Sequence, residues 1–256
     1  MPYSREEIAA GIERLAPWFY RFELPGDLHT TSALPDNVVP IHDTRLQMAL
    51  RPIEQHFGAR LKEIDCLDIG SHEGFYSVAL AVRTRHVTGV EPRVESRERA
   101  RFIADAMGLT NVDYRDGVVE TLSRDLGRTF PLTLFLGVLY HVPDPVHCLR
   151  NVAEVTGELC VIETQVIDEV EGSTEWGSRG WTRSYQGVLA LIDESDGFEV
   201  GSRETGVRPL VTCPSPRALR TMLLHAGFRR IDIIEPHDGA YEQLARRKRV
   251  VAAAWK

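Results

Sequence analysis

The sequence has few cysteines and no long apolar run. A membrane-spanning helix needs about 20 consecutive apolar residues, and no stretch of this chain approaches that length. The N-terminal stretch MPYSREEIAAGIERL is a charged amphipathic pattern without the apolar core of a signal peptide. The cysteines form no CxxC pair, and most lie in apolar segments. They are Cys66, Cys148, Cys160 and Cys213. We therefore expect a cytoplasmic protein with reduced cysteines in its core.

An excess of basic residues is also missing. The 256 residues include 37 Asp and Glu against 30 Lys and Arg, which gives a net charge of −7. Nucleic-acid binding draws on a cationic surface that releases counterions. The one dense basic run, Ala245 to Arg249, is typical of a solvated turn before a strand. The charge balance disfavours a nucleic-acid partner, and the apolar pattern indicates no membrane partner.

What the chain does contain is an alternation of strand and helix patterns. Strands such as EIDCLDIG, HVTGVEP and GELCVIETQV are separated by helical segments, which predicts an α/β fold with a parallel sheet and right-handed crossovers. The last two strand patterns, RRIDIIEP and RVVAAAWK, have a connection too short for a crossover helix. We expect these two to form an antiparallel hairpin.

Two regions fall outside this alternation. Residues 4–20 predict a helix with a capping box from Ser4 to Glu7, residues 21–43 a long covering loop, and residues 44–57 a second helix. We assign residues 1–58 to an N-terminal helix-loop cap and residues 59–256 to the main domain. Within that domain, residues 168–186 are rich in glycine and tryptophan and predict a lid loop.

The stretch LFLGVLYHVPDP places a titratable ring after a strand. Thr133 to Leu139 are almost all apolar or β-branched without alternation, as expected of a strand covered on both faces. Pro143 and Pro145 then break the strand. His141 therefore follows the carboxyl end of an interior strand, which is the edge where open α/β sheets bind ligands.

Acidic residues and glycines end the preceding strands. CLDIGSHEG carries Asp68, Gly70 and Gly74, although His72 departs from the GxGxxG dinucleotide pattern. Glu91 ends the second strand, where a carboxylate can accept hydrogen bonds from both ribose hydroxyls of an adenosine. Asp116 ends the third strand and can accept a hydrogen bond from an adenine amino group.

These motifs resemble those of the class I S-adenosylmethionine-dependent methyltransferases. The resemblance implies a Rossmann-like sheet of seven mostly parallel strands with the last one antiparallel. It also implies S-adenosyl-L-methionine as cofactor, with Asp68 to Gly74 (including Ser71) at the methionine part, Glu91 at the ribose, and Asp116 and Gly117 at the adenine.

Residues 60–236 are similar, more closely, to the tRNA wobble-uridine carboxymethyltransferases and their small-molecule methyltransferase relatives. LGVLYHVPDP, GELCVIETQV and PSPRALRTMLLHAGFRRIDII carry this likeness. In the tRNA enzymes a lysine between tryptophans, together with the tyrosine of the GVLYH block, holds a carboxylated cofactor. Tyr140 matches that tyrosine, which we expect to line the cofactor pocket. The corresponding VPIHDTRLQM has neither lysine nor tryptophan, which favours ordinary S-adenosylmethionine.

We therefore expect an O-methyltransferase that acts on a small-molecule hydroxyl, on a sugar or natural product. An imidazole suits the removal of the hydroxyl proton at neutral pH, so His141 is the candidate general base. The alternative role for His141 is to cap the turn before Pro143. No metal site is predicted, although a metal-assisted mechanism through Asp144, Glu163, Asp168 or Glu169 stays open.

The acceptor is expected under the lid and residues 1–43. Trp176, Trp181 and Tyr185 are candidates to contact a sugar ring, and His29 is a candidate from the N-terminal loop. Two other functions stay open: a tRNA wobble-uridine-modifying methyl- or carboxymethyltransferase, and a non-catalytic S-adenosylmethionine-binding protein. A homodimer is also left open.

Overall fold

The N-terminal part differs from its prediction: the first helix ends at Arg14 instead of residue 20, and the predicted loop contains two short strands. The computed structural model describes residues 3–175, 180–196, 198, 206 and 208–256. Helix α1 (Arg5–Arg14) has the predicted capping box: Ser4 Oγ accepts from the Glu7 amide, and the Glu7 carboxylate accepts from the Ser4 amide. The predicted loop contains a short antiparallel pair, β1 (Glu23–Leu24) and β2 (Leu28–His29). Helix α2 (Pro40–Phe57) begins earlier than predicted, because proline fits the first turn of a helix, where its missing amide hydrogen costs nothing.

Seven strands form the predicted mixed sheet, in the order β10–β11–β7–β6–β3–β4–β5. The strands are β3 (Asp65–Ile69), β4 (His86–Val90), β5 (Val112–Arg115), β6 (Phe130–Leu136), β7 (Thr156–Gln165), β10 (Arg230–Ile234) and β11 (Arg249–Trp255). β11 runs antiparallel to both β7 and β10, while the other pairs are parallel. The α/β fold class and the terminal antiparallel hairpin are therefore confirmed.

Helices cover both faces of this sheet. They are α3 (Phe75–Ala81), α4 (Val94–Ala106), α5 (Leu122–Leu126), α6 (Pro145–Val155), α7 (Pro216–Ala226) and the short α8 (Glu242–Ala245). In β6, Leu132, Leu134 and Leu136 enter a core cluster with α2 and α3. Phe135 enters a separate cluster with α6 and α7. Burial on both faces explains why the β6 sequence shows no polar alternation.

β6 ends three residues earlier than predicted. The chain turns at Gly137, which has a φ of +75°, a conformation that favours glycine. A Cβ at this position would lie 2.7 Å from Nη2 of Arg45. A 3₁₀ turn, Leu139–His141, follows. Tyr140 and His141 therefore belong to a turn at the carboxyl edge of the sheet.

The N-terminal segment is packed firmly against the rest of the chain. Trp18 and Phe22 join Val78 of α3 and Phe102 of α4 in one apolar cluster. The buried carboxylate of Glu73 accepts hydrogen bonds from the backbone amides at positions 19 and 20. This contact fixes residues 18–22 next to the turn between β3 and α3. The division at residue 58 stays a prediction.

The described residues between 166 and 209 lie outside the seven-stranded sheet. The described part of the predicted lid has no helix and a single β-bridge, between Ser173 and Ser184. It is followed by a two-stranded antiparallel sheet, β8 (Leu189–Asp193) with β9 (Leu210–Pro214), which the sequence pattern did not predict. The cysteines are free and buried, as predicted. Among the described residues, no helix combines the length and apolar character needed to cross a membrane.

Candidate functional site

Two adjoining cavities open at the carboxyl edge of the sheet. The first, of about 120 Å³, is lined by the ends of β3 and β4 and by the residues after β5 and β6; we call it the β4 cavity. The second, of about 300 Å³, is lined by residues 19–45, the turn after β6, and residues preceding or starting β11; we call it the α2 cavity. Both cavities are lined by Gly70, His72, Gly137 and His141. A group bound in one cavity therefore meets a group bound in the other at this junction.

The glycine turn after β3 forms one wall of the junction. Gly70 has a φ of +71°, and a Cβ there would lie 2.4 Å from a methyl carbon of Val138. The Gly70 and Ser71 amides donate to the Val90 carbonyl at 2.8 and 3.1 Å. Gly74, with a φ of +85°, precedes α3. The glycine pattern is thus explained by a tight turn that folds back on β4.

Glu91 lines the β4 cavity, where the sequence predicted a ligand acid. Its side chain accepts hydrogen bonds from the backbone amides of His72 and Arg93, both at 3.0 Å. Burial raises its pKa, although these amides and the Arg93 guanidinium oppose the shift. A carboxylate has lone pairs beyond these contacts, so Glu91 can still accept hydrogen bonds from a ligand.

The other predicted cofactor acids lie further from the cavity. Asp68 is buried under the turn, accepts a hydrogen bond from Ser77 Oγ at 2.5 Å, and has a pKa raised to about 6 by burial. The side chain of Asp116 is exposed and accepts from Arg97 Nη1 at 2.7 Å. Neither residue lines the β4 cavity, whereas Gly117 does. Their direct contact with a cofactor stays a prediction.

Tyr140 and His141 have different positions within their turn. Tyr140 lines the α2 cavity, not the β4 cavity, and its hydroxyl accepts a hydrogen bond from Arg249 Nη2 at 3.2 Å. His141 lines both cavities, and its Nδ1 is buried without a hydrogen-bond partner among the described residues. Burial and the nearby arginines, Arg249 foremost, lower the pKa of His141 to about 4. Its ring is therefore neutral at physiological pH and can accept a proton.

A buried charge cluster, which the sequence did not predict, forms part of the α2 cavity. The Glu163 carboxylate is fully buried and accepts from Arg45 Nη2 and, at 3.0 Å, from Arg249 Nη1. Burial alone would raise the pKa of Glu163, but the two guanidiniums hold it below its usual value. Arg45 Nε has no hydrogen-bond partner among the described residues. Glu194 adds a second carboxylate to the lining of the α2 cavity, so two guanidiniums are matched by two carboxylates.

Sequence reasoning also did not identify His42, which lies one turn before Arg45 on α2, as a site residue. It is 3% exposed, lines the α2 cavity, and has no hydrogen-bond partner for either ring nitrogen in the described part of the chain. Burial, together with Arg45, lowers its pKa to about 3. The signal in the sequence was the run His42, Thr44 and Arg45: three polar side chains on the buried side of an otherwise amphipathic helix.

The predicted acceptor residues that are described lie outside both cavities. Trp181 is 59% exposed, and neither Tyr185 nor His29 lines either space. Trp176 falls outside the described residues. Beyond the sheet, the cavities are lined instead by Glu194 and Gly206, from the segment between β8 and β9, and by Phe19 to His42 of the N-terminal part.

The acids considered for a metal have protein partners. Asp144 caps α6 through the amide of residue 147, and Asp168 pairs with Lys248 at 2.6 Å. Glu169 accepts from Ser215 Oγ at 2.9 Å. In the parts of the chain that the structure describes, no three His, Cys, Asp or Glu side chains are grouped to hold a metal ion.

The family comparison matches the region that builds the glycine turn and the junction. A family model described as a methyltransferase domain matches residues 61–183. Residues 61–183, just under half of the chain, are thus similar to a methyltransferase domain, and we call them the matched methyltransferase domain. The methyltransferase domain thus includes Glu91 and His141, while α2 and β11 complete the second cavity from outside the matched region.

Curated relatives of the methyltransferase domain share part of its sequence. The chain is 30% identical over 123 residues to a ubiquinone biosynthesis O-methyltransferase of Azotobacter vinelandii, an alignment that covers 47% of this chain and 51% of the relative. It is 32% identical over 111 residues to the protein of the same name from Pseudomonas aeruginosa, covering 43% of this chain and 46% of the relative. The chain therefore spans about half the length of the curated relatives it matches.

Similarity to solved structures extends over nearly the whole chain. The N-terminal domain of EvdMO1, crystallised in the presence of SAH and D-fucose, aligns with a TM-score of 0.72 and 24% identity, covering 99% of this chain and 97% of that one. The same domain with SAH bound aligns with a TM-score of 0.70 and 25% identity, over 99% and 95% of the two chains. These alignments show that the fold extends beyond the matched methyltransferase domain to the N-terminal segment.

Proposed function

We propose that this protein transfers the methyl group of S-adenosylmethionine to a hydroxyl group of a small molecule, with a sugar as the favoured acceptor. The observation that carries the proposal is the junction at His141, where a cavity beside the glycine turn meets a second cavity lined by polar groups. The curated relatives are named O-methyltransferases. The structural neighbour was crystallised with SAH and D-fucose, which supports a sugar acceptor.

The residues of the β4 cavity fit the cofactor. Gly70 allows the close approach of a ligand to the turn, and Glu91 offers a carboxylate of the kind that binds ribose hydroxyls. Gly117 and Val118 line the part expected to hold the adenine. Asp68, Ser71 and Gly74 would hold the turn in shape for the methionine part. When bound, S-adenosylmethionine supplies an electrophilic methyl group.

The residues of this chain then have to bind the acceptor and take its proton. A hydroxyl that gains a methyl group loses one proton, and the imidazole of His141 lines the junction and has no hydrogen-bond partner for Nδ1 among the described residues. A general base must lie within hydrogen-bond reach of the proton it removes. We propose His141 for this role, and the α2 cavity, with Tyr140 and residues 19–45, for acceptor binding.

The tRNA-modifying transferases are the second candidate, and one observation favours them. Where the sequence lacks the lysine of those enzymes, the guanidiniums of Arg45 and Arg249 supply cationic groups near Tyr140. A cation in this place suits a carboxylated cofactor. Against this candidate, Phe19, Tyr20 and Leu34 cover the α2 cavity, and the chain carries a net charge of −7. A small acceptor is therefore preferred.

The test is turnover with isotope-labelled S-adenosylmethionine and a panel of monosaccharides, methyl glycosides, polyols, catechols and unmodified tRNA. We expect methylated product from a glycoside or polyol.

Glu91→Ala should weaken SAH binding about 10- to 100-fold, because it removes hydrogen bonds to a charged group. Glu98→Ala, at an exposed position of α4, is the matched control. Labelled tRNA, or activity that requires a carboxylated cofactor, would favour the second candidate. Undiminished SAH affinity in folded Glu91→Ala would remove the cofactor assignment.

A further inference from the structure

The α2 cavity contains a polar group that no other part of the described protein satisfies. His42 is almost completely buried and lines the cavity, and neither ring nitrogen has a hydrogen-bond partner among the described residues. Buried polar atoms in folded proteins nearly always have partners, so an exception needs an explanation. Because His42 lines a cavity, a ligand bound there is the natural partner.

The surroundings of His42 define the chemistry of that ligand. The ring centroids of Tyr20 and Phe19 lie 4.4 and 5.3 Å from that of His42. These aromatic groups suit the apolar C–H faces of a saturated ring. The guanidiniums of Arg45 and Arg249 are balanced by the carboxylates of Glu163 and Glu194, so the charges of these four residues cancel, which suits a neutral ligand. A neutral imidazole offers one donor and one acceptor, as a hydroxyl does.

We propose that His42 is a specificity-determining residue that hydrogen-bonds a second hydroxyl of the acceptor, one that is not methylated. The α2 cavity would thus select ring compounds that carry at least two hydroxyl groups. This inference rests on the proposed function. It assigns recognition to a residue of α2, outside the matched methyltransferase domain, and leaves proton removal to His141.

The discriminating experiment pairs each acceptor with analogues that lack one hydroxyl. Methyl D-fucopyranoside and its 2-, 3- and 4-deoxy derivatives are the first set, followed by the corresponding set for any other active member of the panel. A site built to hydrogen-bond a hydroxyl rejects the analogue without it strongly, by about 10²-fold or more in kcat/KM. One deoxy analogue that still carries the methylated hydroxyl should show this loss with the wild-type protein.

Variants of His42 then locate the discrimination. In His42→Leu the ratio of kcat/KM between the parent glycoside and that analogue should fall to about one, because the group that distinguishes them is gone. His42→Gln keeps a donor and an acceptor and should retain part of the ratio. His225→Ala, at an exposed histidine of α7 outside both cavities, is the matched control and should keep the full ratio.

A second measurement does not depend on the variants being folded. In wild-type protein labelled with ¹⁵N-histidine, saturation with SAH and the active glycoside should shift the ring nitrogens of His42, and the deoxy analogue should not. The melting temperature separates recognition from a structural role: removing an unpartnered buried polar group should leave unliganded His42→Leu at least as stable as wild type.

The outcomes separate this inference from the function on which it rests. No methylation of any panel member would overturn both. Methylation with equal kcat/KM for the parent and all deoxy analogues would overturn the role of His42 and leave the proposed function standing. A full discrimination ratio in folded His42→Leu would also overturn it, as would a lowered melting temperature with unchanged histidine resonances on acceptor binding.

Discussion

At the scale of single residues, the environment of His141 makes a prediction about pH. Burial and neighbouring arginines lower its pKa to about 4, so the proton-accepting form predominates at any higher pH. If His141 is the base, kcat/KM should fall as the pH drops through about 4, and show no acid limb near the usual histidine value of about 6.5. A pH profile from 3.5 to 9 measures this, with circular dichroism at each pH to confirm folding.

Substitution tests the same assignment. His141→Ala and His141→Gln should lower the rate about 10²- to 10⁴-fold, the usual contribution of a general base, while SAH still binds. His225→Ala, at an exposed histidine of α7, serves as control. A rate within about fivefold of wild type, or an acid limb near 6.5 that persists in His141→Gln, would remove His141 from this role.

At this scale, the sequence predicts the position of a site residue when that residue lies at the end of a recognisable strand. Gly70, Glu91 and His141 each lie at a strand end, and parallel strands bring their carboxyl ends to one edge whatever the intervening sequence. The Arg45–Glu163–Arg249 cluster has no such local signal. Its members are 118 and 86 residues apart and come from three different elements. Their meeting depends on helix packing and strand order together.

At the scale of secondary-structure elements, Glu163 connects β7 to both α2 and β11. Glu163→Gln would leave two buried guanidiniums without their counter-ion, so we expect the free energy of unfolding to decrease by about 3–5 kcal/mol. Urea denaturation with linear extrapolation measures it. Glu154→Gln, at an exposed position of α6, is the control and should change stability little. A loss below about 1 kcal/mol would mean that the cluster contributes little to the packing of these elements.

The elements that the sequence predicted well are the buried ones. β6 was recognised because both of its faces are apolar. The predicted end of β6 was too late because Val138 and Leu139 extend the apolar run. The strand stops before Gly137, whose backbone has a left-handed conformation. β8 and β9 were missed for a different reason: β8 is largely exposed, so burial imposes no alternation on its sequence. The described residues of the predicted lid contain no helix, and other segments line the cavities.

At the scale of the whole molecule, the N-terminal segment and the seven-stranded sheet form the α2 cavity together. Residues 19–45 provide one wall, while β6, β7 and β11 provide the other. The predicted boundary at residue 58 marks a change in sequence pattern, yet the cavity lies across it. Acceptor binding should therefore depend on contacts that hold the segment in place, and cofactor binding should depend on them much less.

Glu73 is the contact that tests this division. Its buried carboxylate accepts from the amides of Phe19 at 2.8 Å and Tyr20 at 3.3 Å, and Glu73→Gln would weaken this attachment by replacing a charged acceptor with a neutral amide. If the free energy of this attachment falls by about 1.4 kcal/mol or more, the acceptor KM should rise about tenfold. Hydrogen exchange of these two amides should also become faster. SAH affinity should stay within about threefold. Glu13→Gln, at an exposed position of α1, is the control. Equal losses of SAH and acceptor affinity would show that the segment supports both cavities, and unchanged exchange at Phe19 and Tyr20 would show that other contacts hold it.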